Sequence, residues 1–178
     1  MGNLSPHFDD FEFACDCGKI TTMSPELISR LESLYNIIGA GAIIITSGYR
    51  CPDCSVKAGG SHDDAHTRSL AADIMVLKNT KDVNYFDSDD IAEAAERVGF
   101  TGIGIIDRLA VHVDVRTPQN YKNGHWFGDE RTGNDNISTF QRGTIFNSHT
   151  ENVSRETSKH TIKIIFDDKV IYEKEIET

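Results

Sequence analysis

The sequence predicts an α+β domain with a small antiparallel sheet and helices packed on it, followed by a C-terminal β-hairpin. Three observations support this fold class. Two segments place apolar residues at helical spacing between good helix starts and glycine ends. Several short apolar segments of strand length lie between and after these helices. Near the C-terminus, two further segments alternate apolar and polar residues around a short polar turn.

The first predicted helix begins at Ser24-Pro25, which combines an N-cap residue with proline at the first helical position. Its apolar residues recur at helical spacing, and Gly39 or Gly41 ends it. A second predicted helix starts at the acidic residues 87–90 and ends at Gly99. We expect the apolar residues of both helices to form the core.

Four segments of the main domain have the length and composition of strands: residues 42–46, 70–77, 102–106 and 109–116. The third and fourth are separated only by Asp107-Arg108, so we expect them to form a hairpin. Between the first and second strands, residues 55–65 are rich in Gly, Ser, Asp and His. They are expected to form a loop that could line a cleft.

We predict a main domain at residues 1–128, a polar linker or wrap at 129–158 and a hairpin appendage at 159–178. The middle segment is rich in Asn, Ser, Thr and Gly. The strands of the appendage are expected at residues 161–166 and 170–176. A lone two-stranded hairpin is only marginally stable in water. It is therefore expected to dock on the main domain, on a second copy or on a protein partner.

Net charge and hydropathy exclude several classes of partner. The 178 residues carry a formal net charge of −10, which argues against general electrostatic binding to nucleic acid or to an anionic membrane surface. No apolar run approaches the roughly 20 residues of a membrane span. Sequence typical of a folded domain begins almost at the first residue, so we expect no signal peptide.

His66, Asp73 and His112 form a candidate set of metal ligands. His66 lies in the loop before the second predicted strand, Asp73 lies within that strand, and His112 lies in the fourth. Two imidazole nitrogens and one carboxylate oxygen suit Zn²⁺ and leave a fourth coordination position open for water. A single histidine or aspartate in a strand is more often structural, and the spacing alone does not decide between the two interpretations.

An ordered series of motifs surrounds these residues: LSPHF at 4–8, EFACDCG at 12–18, SGYRC at 47–51, GG at 59–60, HTRSLAAD at 66–73, GIG at 102–104 and HVDVR at 112–116. In this order the motifs resemble the zinc D-Ala-D-Ala carboxypeptidase family, peptidase M15. They are most similar to its phage and bacterial cell-wall endopeptidase branch. The resemblance covers about residues 3 to 127. It implies a fold shared with hedgehog-type proteins, Zn²⁺ on the three candidate ligands, and a peptidoglycan peptide as substrate.

The resemblance also implies a role for Arg50, which would hold the carbonyl oxygen or a terminal carboxylate of the substrate. We predict Asp114 as the general base, because it lies two residues after His112 and leaves the same face of the strand. A second role stays open for Asp114, the orientation of His112 from outside the metal site. Many relatives place an acid three residues before the last histidine ligand, and here that position is Leu109.

Two further residues depart from the family pattern. Asp64 and Ser69 stand where the family usually has serine and glycine. These departures favour a second interpretation, a non-catalytic zinc-containing structural or binding module of the same fold. The first interpretation is a cell-wall lytic peptidase. It implies synthesis in the cytoplasm and action on the wall after release, during phage lysis or as part of a virion.

Four cysteines occur in two motifs, Cys15-Asp16-Cys17 and Cys51-Pro52-Asp53-Cys54. Such a pair could form a tetrathiolate zinc site, disulfides between the two segments, or simply reduced thiols. Either kind of tie would hold the N-terminal segment against the wall of the active site. A redox enzyme is disfavoured, because no thioredoxin-like βαβ pattern surrounds the second motif.

Overall fold

The computed structural model describes residues 2–81, 83–121 and 124–142, and the backbone of two C-terminal strands at 160–166 and 169–176. The chain forms two compact units, Met1–Gln141 and Arg142–Thr178. Within the described residues, no helix has the length and apolar character needed to cross a membrane.

Three α-helices and one turn of 3-10 helix belong to the first unit: the 3-10 turn Asp10–Phe13, α1 Pro25–Ile38, α2 Pro52–Lys57 and α3 Ser88–Arg97. Helix α1 follows its N-cap Ser24 and ends at Gly39, whose φ of 67° is a left-handed conformation that glycine adopts without strain. Helix α3 follows its N-cap Asp87, at the predicted start. Helix α2 was not predicted, because six residues are too few to show a helical period.

Six strands form one sheet: β1 Ala42–Ser47, β2 Ala71–Asn79, β3 Asn84–Tyr85, β4 Gly102–Ile105, β5 Val111–Asp114 and β6 Trp126–Asp129. The strand order is β1-β2-β5-β4-β6, and β3 pairs with β2. The predicted hairpin of β4 and β5 is antiparallel, as are all other pairings except one. Strand β6, which the sequence did not predict, lies parallel to β4. The α+β class and the small sheet are confirmed.

The core lies between this sheet and the helices. Helix α3 packs on β4 and β5, and α1 packs on α3. The fully buried aliphatic side chains come from both layers: Leu27, Leu31, Leu34, Ile74, Val76, Ile91, Ile103, Ile105, Val111 and Val113. Side chains alternate along a strand, so His112 and Asp114 leave β5 on the face opposite to Val111 and Val113.

The first unit extends beyond the predicted domain end at residue 128. Phe140 is buried and its ring centroid lies 5.4 Å from that of Phe127 in β6. The amide of Phe140 donates a hydrogen bond of 2.6 Å to Glu96 on α3. These contacts attach residues 129–141, the start of the predicted linker, to the first unit. Residues 143–158 of that linker lie outside the described residues.

The second unit contains β7 His160–Phe166 and β8 Lys169–Ile176, which pair antiparallel. This pairing is the predicted C-terminal hairpin. The first two residues of its predicted turn, 167 and 168, lie outside the described residues. Self-association or partner binding through the hairpin stays a prediction.

Candidate metal centre

The register of the sheet and one loop bring together the three predicted metal ligands. Asp73 of β2 pairs directly with His112 of β5, and the loop before β2 carries His66. His112 Nδ1 lies 2.9 Å from Asp73 Oδ1 and 3.1 Å from His66 Nε2. His66 Nε2 lies 3.3 Å from the same Asp73 oxygen. A tetrahedral zinc with bonds of about 2.0–2.1 Å has ligand atoms about 3.3 Å apart, so these three atoms match one face of such a tetrahedron.

The outer ring nitrogens of both histidines are held by hydrogen-bond acceptors. His66 Nδ1 lies 2.7 Å from the carbonyl oxygen of Gly48, which can only accept, so Nδ1 carries the proton. His112 Nε2 lies 3.0 Å from Asp114 Oδ2 and donates to that carboxylate. The inner nitrogens are thereby left to face Asp73. Partners of this kind fix the tautomer and ring orientation of a metal-binding histidine.

Electrostatics at the centre favour a positive charge. Burial opposes ionisation of Asp73, but hydrogen bonds from His112 and His66 hold its pKa well below the usual value. Burial also lowers the pKa of His112, yet its hydrogen bonds to Asp114 and Asp73 outweigh burial and raise that pKa to about 9. The same carboxylates favour a bound cation, and the donor set of two nitrogens and one oxygen suits Zn²⁺.

Arg50 contacts the centre from the end of β1. Its Nη2 is hydrogen-bonded to Asp73 Oδ2, and its Nε donates to Ser47 Oγ at 2.8 Å. The Arg50 side chain lines the cleft above the three ligands and is 22% exposed. The guanidinium has five donors, and these two contacts leave others for a ligand in the cleft.

Asp114 lies below His112 and does not line the cleft. Its side chain is fully buried and accepts hydrogen bonds from Nε and Nη2 of Arg116 as well as from His112. Burial opposes ionisation, but the hydrogen bonds from His112 and Arg116 hold the pKa of Asp114 well below its usual value. A Cβ on Gly102 would overlap this carboxylate, so glycine is needed there. The geometry supports the orienting role that the sequence left open, because the carboxylate is buried and is hydrogen-bonded to His112 and Arg116.

The cleft is open and has a volume of about 420 Å³. Trp126 of β6 forms part of its wall, at 6.2 Å between ring centroids from His112. Its indole lies over Gly104 and Gly128, where an added Cβ would come within 2.7 Å and 2.5 Å of the ring. Tyr121 also lines the cleft, beside Arg116. The two glycines therefore make room for an aromatic wall next to the metal centre.

Glu130 is a cleft residue that the sequence analysis missed. Its amide donates to the carbonyl of Ile105, which places it just beyond the parallel pair of β4 and β6. Its side chain is exposed and accepts no hydrogen bond from another described residue. The sequence did not indicate Glu130 as a site residue because strand β6, which brings Glu130 to the cleft, was not predicted.

The two departures Asp64 and Ser69 shape the loop that carries His66. The Asp64 carboxylate accepts hydrogen bonds from the Ser55 hydroxyl and, at 2.9 Å, from the amide of Thr67, and so stabilises the turn. His66 Nδ1 is hydrogen-bonded to the carbonyl of Gly48 and not to Asp64. Ser69 has a φ of 60°, a conformation that favours glycine. The backbone thus has the conformation expected for the glycine of the family pattern.

The structure also brings the four cysteines together. Their sulfurs all lie within 4.8 Å of one another, and all four residues are free thiols in the structure. This cluster lies at the start of α2, next to the segment that carries Arg50.

One comparison with known proteins places the chain. A family model described as Peptidase M15 matches residues 6–114. The match spans more than half of the chain and includes His66, Asp73 and His112. No curated protein matches the sequence significantly.

Proposed function

The chain belongs to the peptidase M15 family, and on that premise we propose that it is a zinc-dependent peptidase of bacterial cell walls. The reaction is hydrolysis of an amide bond in the stem peptides or cross-bridges of peptidoglycan. The observation that carries this proposal is the convergence of His66 Nε2, His112 Nδ1 and Asp73 Oδ1 at the base of an open cleft.

The donor set and its surroundings fit zinc. His66, Asp73 and His112 would hold the ion, and each has an outer partner that fixes its orientation: Gly48, Arg50 and Asp114 respectively. Bound zinc supplies Lewis-acid chemistry, since it lowers the pKa of a water ligand and polarises an amide carbonyl.

Arg50 and the aromatic wall position the peptide. Free donors of the Arg50 guanidinium can bind the carbonyl oxygen or a terminal carboxylate of the substrate, as the resemblance implies. Trp126 and Tyr121, which line the cleft, would offer flat ring surface to the substrate peptide. The cleft is open, which suits a peptide branch of a large polymer better than a small free metabolite.

Glu130 is our proposed proton acceptor, in place of Asp114. Asp64 also lines the cleft, but its carboxylate is bonded to Ser55 and Thr67, whereas the exposed Glu130 carboxylate has no such partner among the described residues. Glu130 takes a proton from the attacking water as the water oxygen bonds to the carbonyl carbon. It returns that proton to the leaving amine as the C–N bond breaks.

The test compares hydrolysis of purified cross-linked peptidoglycan by the wild type, by His112→Ala and by His125→Ala. His125 is exposed and does not line the cleft, so its removal is the matched control. New amino groups and fragment masses report the bond that is cut. We expect His112→Ala to lose about one equivalent of zinc and all hydrolysis, because a three-ligand site rarely holds zinc with two ligands. Equal zinc in the two variants would contradict the ligand assignment.

A second candidate function is a non-catalytic zinc-containing module of the same fold. Leu109 favours it, because many relatives have an acid at that position. If this second function is correct, the wild type will hold zinc at the His66 site and bind peptidoglycan. It will release no new amino groups from cell walls with several types of cross-link.

A further inference from the structure

We propose that Cys15, Cys17, Cys51 and Cys54 form a second, structural zinc site. Two separate segments supply the ligands. Cys15 and Cys17 follow the 3-10 turn Asp10–Phe13, while Cys51 is the N-cap of α2 and Cys54 lies within that helix. The pairs are 34 or more residues apart in sequence, yet their four sulfurs lie within 4.8 Å of one another.

The sulfur distances fit a tetrathiolate better than disulfides. Zinc bonds to sulfur are about 2.3 Å long, so the edges of a tetrahedral site are about 3.8 Å. The Cys15–Cys17 and Cys17–Cys51 sulfur distances are 3.5 Å and 3.8 Å. A disulfide would bring one pair to about 2.0 Å and leave the other two sulfurs as a separate pair. The four sulfurs instead form one cluster.

The backbone around the cluster is arranged to hold sulfur ligands. The amide of Cys51 donates to Cys15 Sγ at 3.4 Å, a contact that stabilises negative charge on a thiolate. Gly18 has a φ of 82° and donates its amide to the carbonyl of Cys15 at 2.7 Å. This tight turn lets Cys15 and Cys17 present their sulfurs to the same point, and the left-handed φ favours glycine there.

The site would act on the catalytic centre through the chain between the two motifs. Phe13, two residues before Cys15, accepts the amide of Tyr49 at 2.9 Å. A Cβ on Gly48 would lie 2.5 Å from Phe13 Cα, so the two segments are in close contact. Gly48 orients His66 and Arg50 contacts Asp73. Zinc at the cysteines would therefore fix the segment from which both partners of the catalytic ligands project.

Metal content and cobalt spectroscopy test this site without any assay of activity. Protein purified under reducing conditions with zinc should contain about two equivalents per chain, and His112→Ala and Cys17→Ser should each retain about one. Cys17 is the exposed member of the cluster, so its substitution disturbs packing least. In His112→Ala loaded with Co²⁺, we expect thiolate-to-cobalt charge-transfer absorption and tetrahedral d–d bands.

Three results would overturn the proposal. The first is fewer than four titratable thiols in protein purified and denatured without reductant, which would show disulfides. The second is a wild type with only one equivalent of zinc, lost completely in His112→Ala. The third is cobalt-loaded His112→Ala without thiolate charge-transfer bands, a measurement that stands even if Cys17→Ser fails to fold.

Discussion

His112 donates its Nε2 proton to Asp114, whose buried carboxylate lies 3.0 Å away and is also paired with Arg116. This contact fixes which nitrogen of His112 faces the metal centre. The full burial of Asp114 is the observation behind our proposal that it orients His112 and does not itself contact water in the cleft.

Replacement of Asp114 with asparagine should therefore weaken the site and the fold together. The variant keeps an acceptor for His112 but leaves the largely buried Arg116 guanidinium without a counter-charge, at a cost of about 2 kcal/mol or more. Zinc affinity should fall about 10- to 100-fold, and turnover should recover at saturating zinc. Urea unfolding and a zinc titration measure the two effects, with Asp135→Asn, an exposed acid, as the control. Inactivity of Asp114→Asn with zinc fully bound would restore it as the general base.

Glu130→Gln should separate catalysis from metal binding. It removes the proposed proton acceptor and leaves His66, Asp73 and His112 untouched, so zinc content and stability should equal those of the wild type. Turnover should fall by about 10² to 10⁴, the usual contribution of a positioned acid–base group. The comparison variant is Asp64→Asn, which should lose stability because its carboxylate holds the turn before His66. Wild-type turnover in Glu130→Gln across the pH range would exclude the role assigned to it.

Ser69→Gly should stabilise the protein. The left-handed backbone at Ser69 destabilises the folded state by about 1–2 kcal/mol when the residue has a Cβ, and glycine removes this strain. Glycine also gives the unfolded chain more conformational freedom, which cancels part of the gain. We expect a net gain of about 0.5–1 kcal/mol in the free energy of unfolding. Ser69→Ala is the control, because it removes the hydroxyl but keeps Cβ, and should show no gain. Equal stability of the glycine and alanine variants would mean that the φ of Ser69 is not strained.

Truncation after residue 142 should leave a folded, zinc-loaded domain. All of the buried hydrophobic side chains described in the structure lie between Phe8 and Phe140, within the first unit. We expect the truncated chain to unfold cooperatively. Its helical content, measured by far-ultraviolet circular dichroism, and its zinc content should match those of the full chain. Loss of the cooperative transition would show that the hairpin of β7 and β8 belongs to the main core.

Docking of the N-terminal segment on α1 should depend on pH through Glu32. Burial raises the pKa of Glu32, but hydrogen bonds from Ser5 and His7 outweigh burial and hold it below its usual value. Because the folded-state pKa is depressed, the stability from Glu32 is present above the unfolded pKa of about 4.5 and is lost as pH falls through the folded value. Glu32→Gln should therefore lower the melting temperature at pH 7 and have less effect near pH 3. An equal loss of melting temperature in Glu32→Gln at both pH values would contradict this role of the Glu32 carboxylate.

The sequence predicted the features of this protein that local chemistry controls. Ser24, Pro25 and Gly39 mark both ends of α1 because caps act within a single turn. Side chains alternate between the two faces of a strand, so the sequence predicted that His112 and Asp114 share a face. Ordered motifs then identified the family and the three residues that meet at the base of the cleft.

Tertiary structure decided which of these side chains meet water and which lie beneath the site. Asp114 and Glu130 are both acids near the ends of strands. Contacts with His112, Arg116 and Gly102 enclose the first, and the parallel pairing of β6 with β4 brings the second to the cleft. Such pairings join residues that are far apart in the chain, and no local period encodes them. The same holds for the cysteines. Their spacing does not show that the two motifs meet, whereas the contact of Phe13 with Gly48 and Tyr49 accompanies a single cluster of four sulfurs.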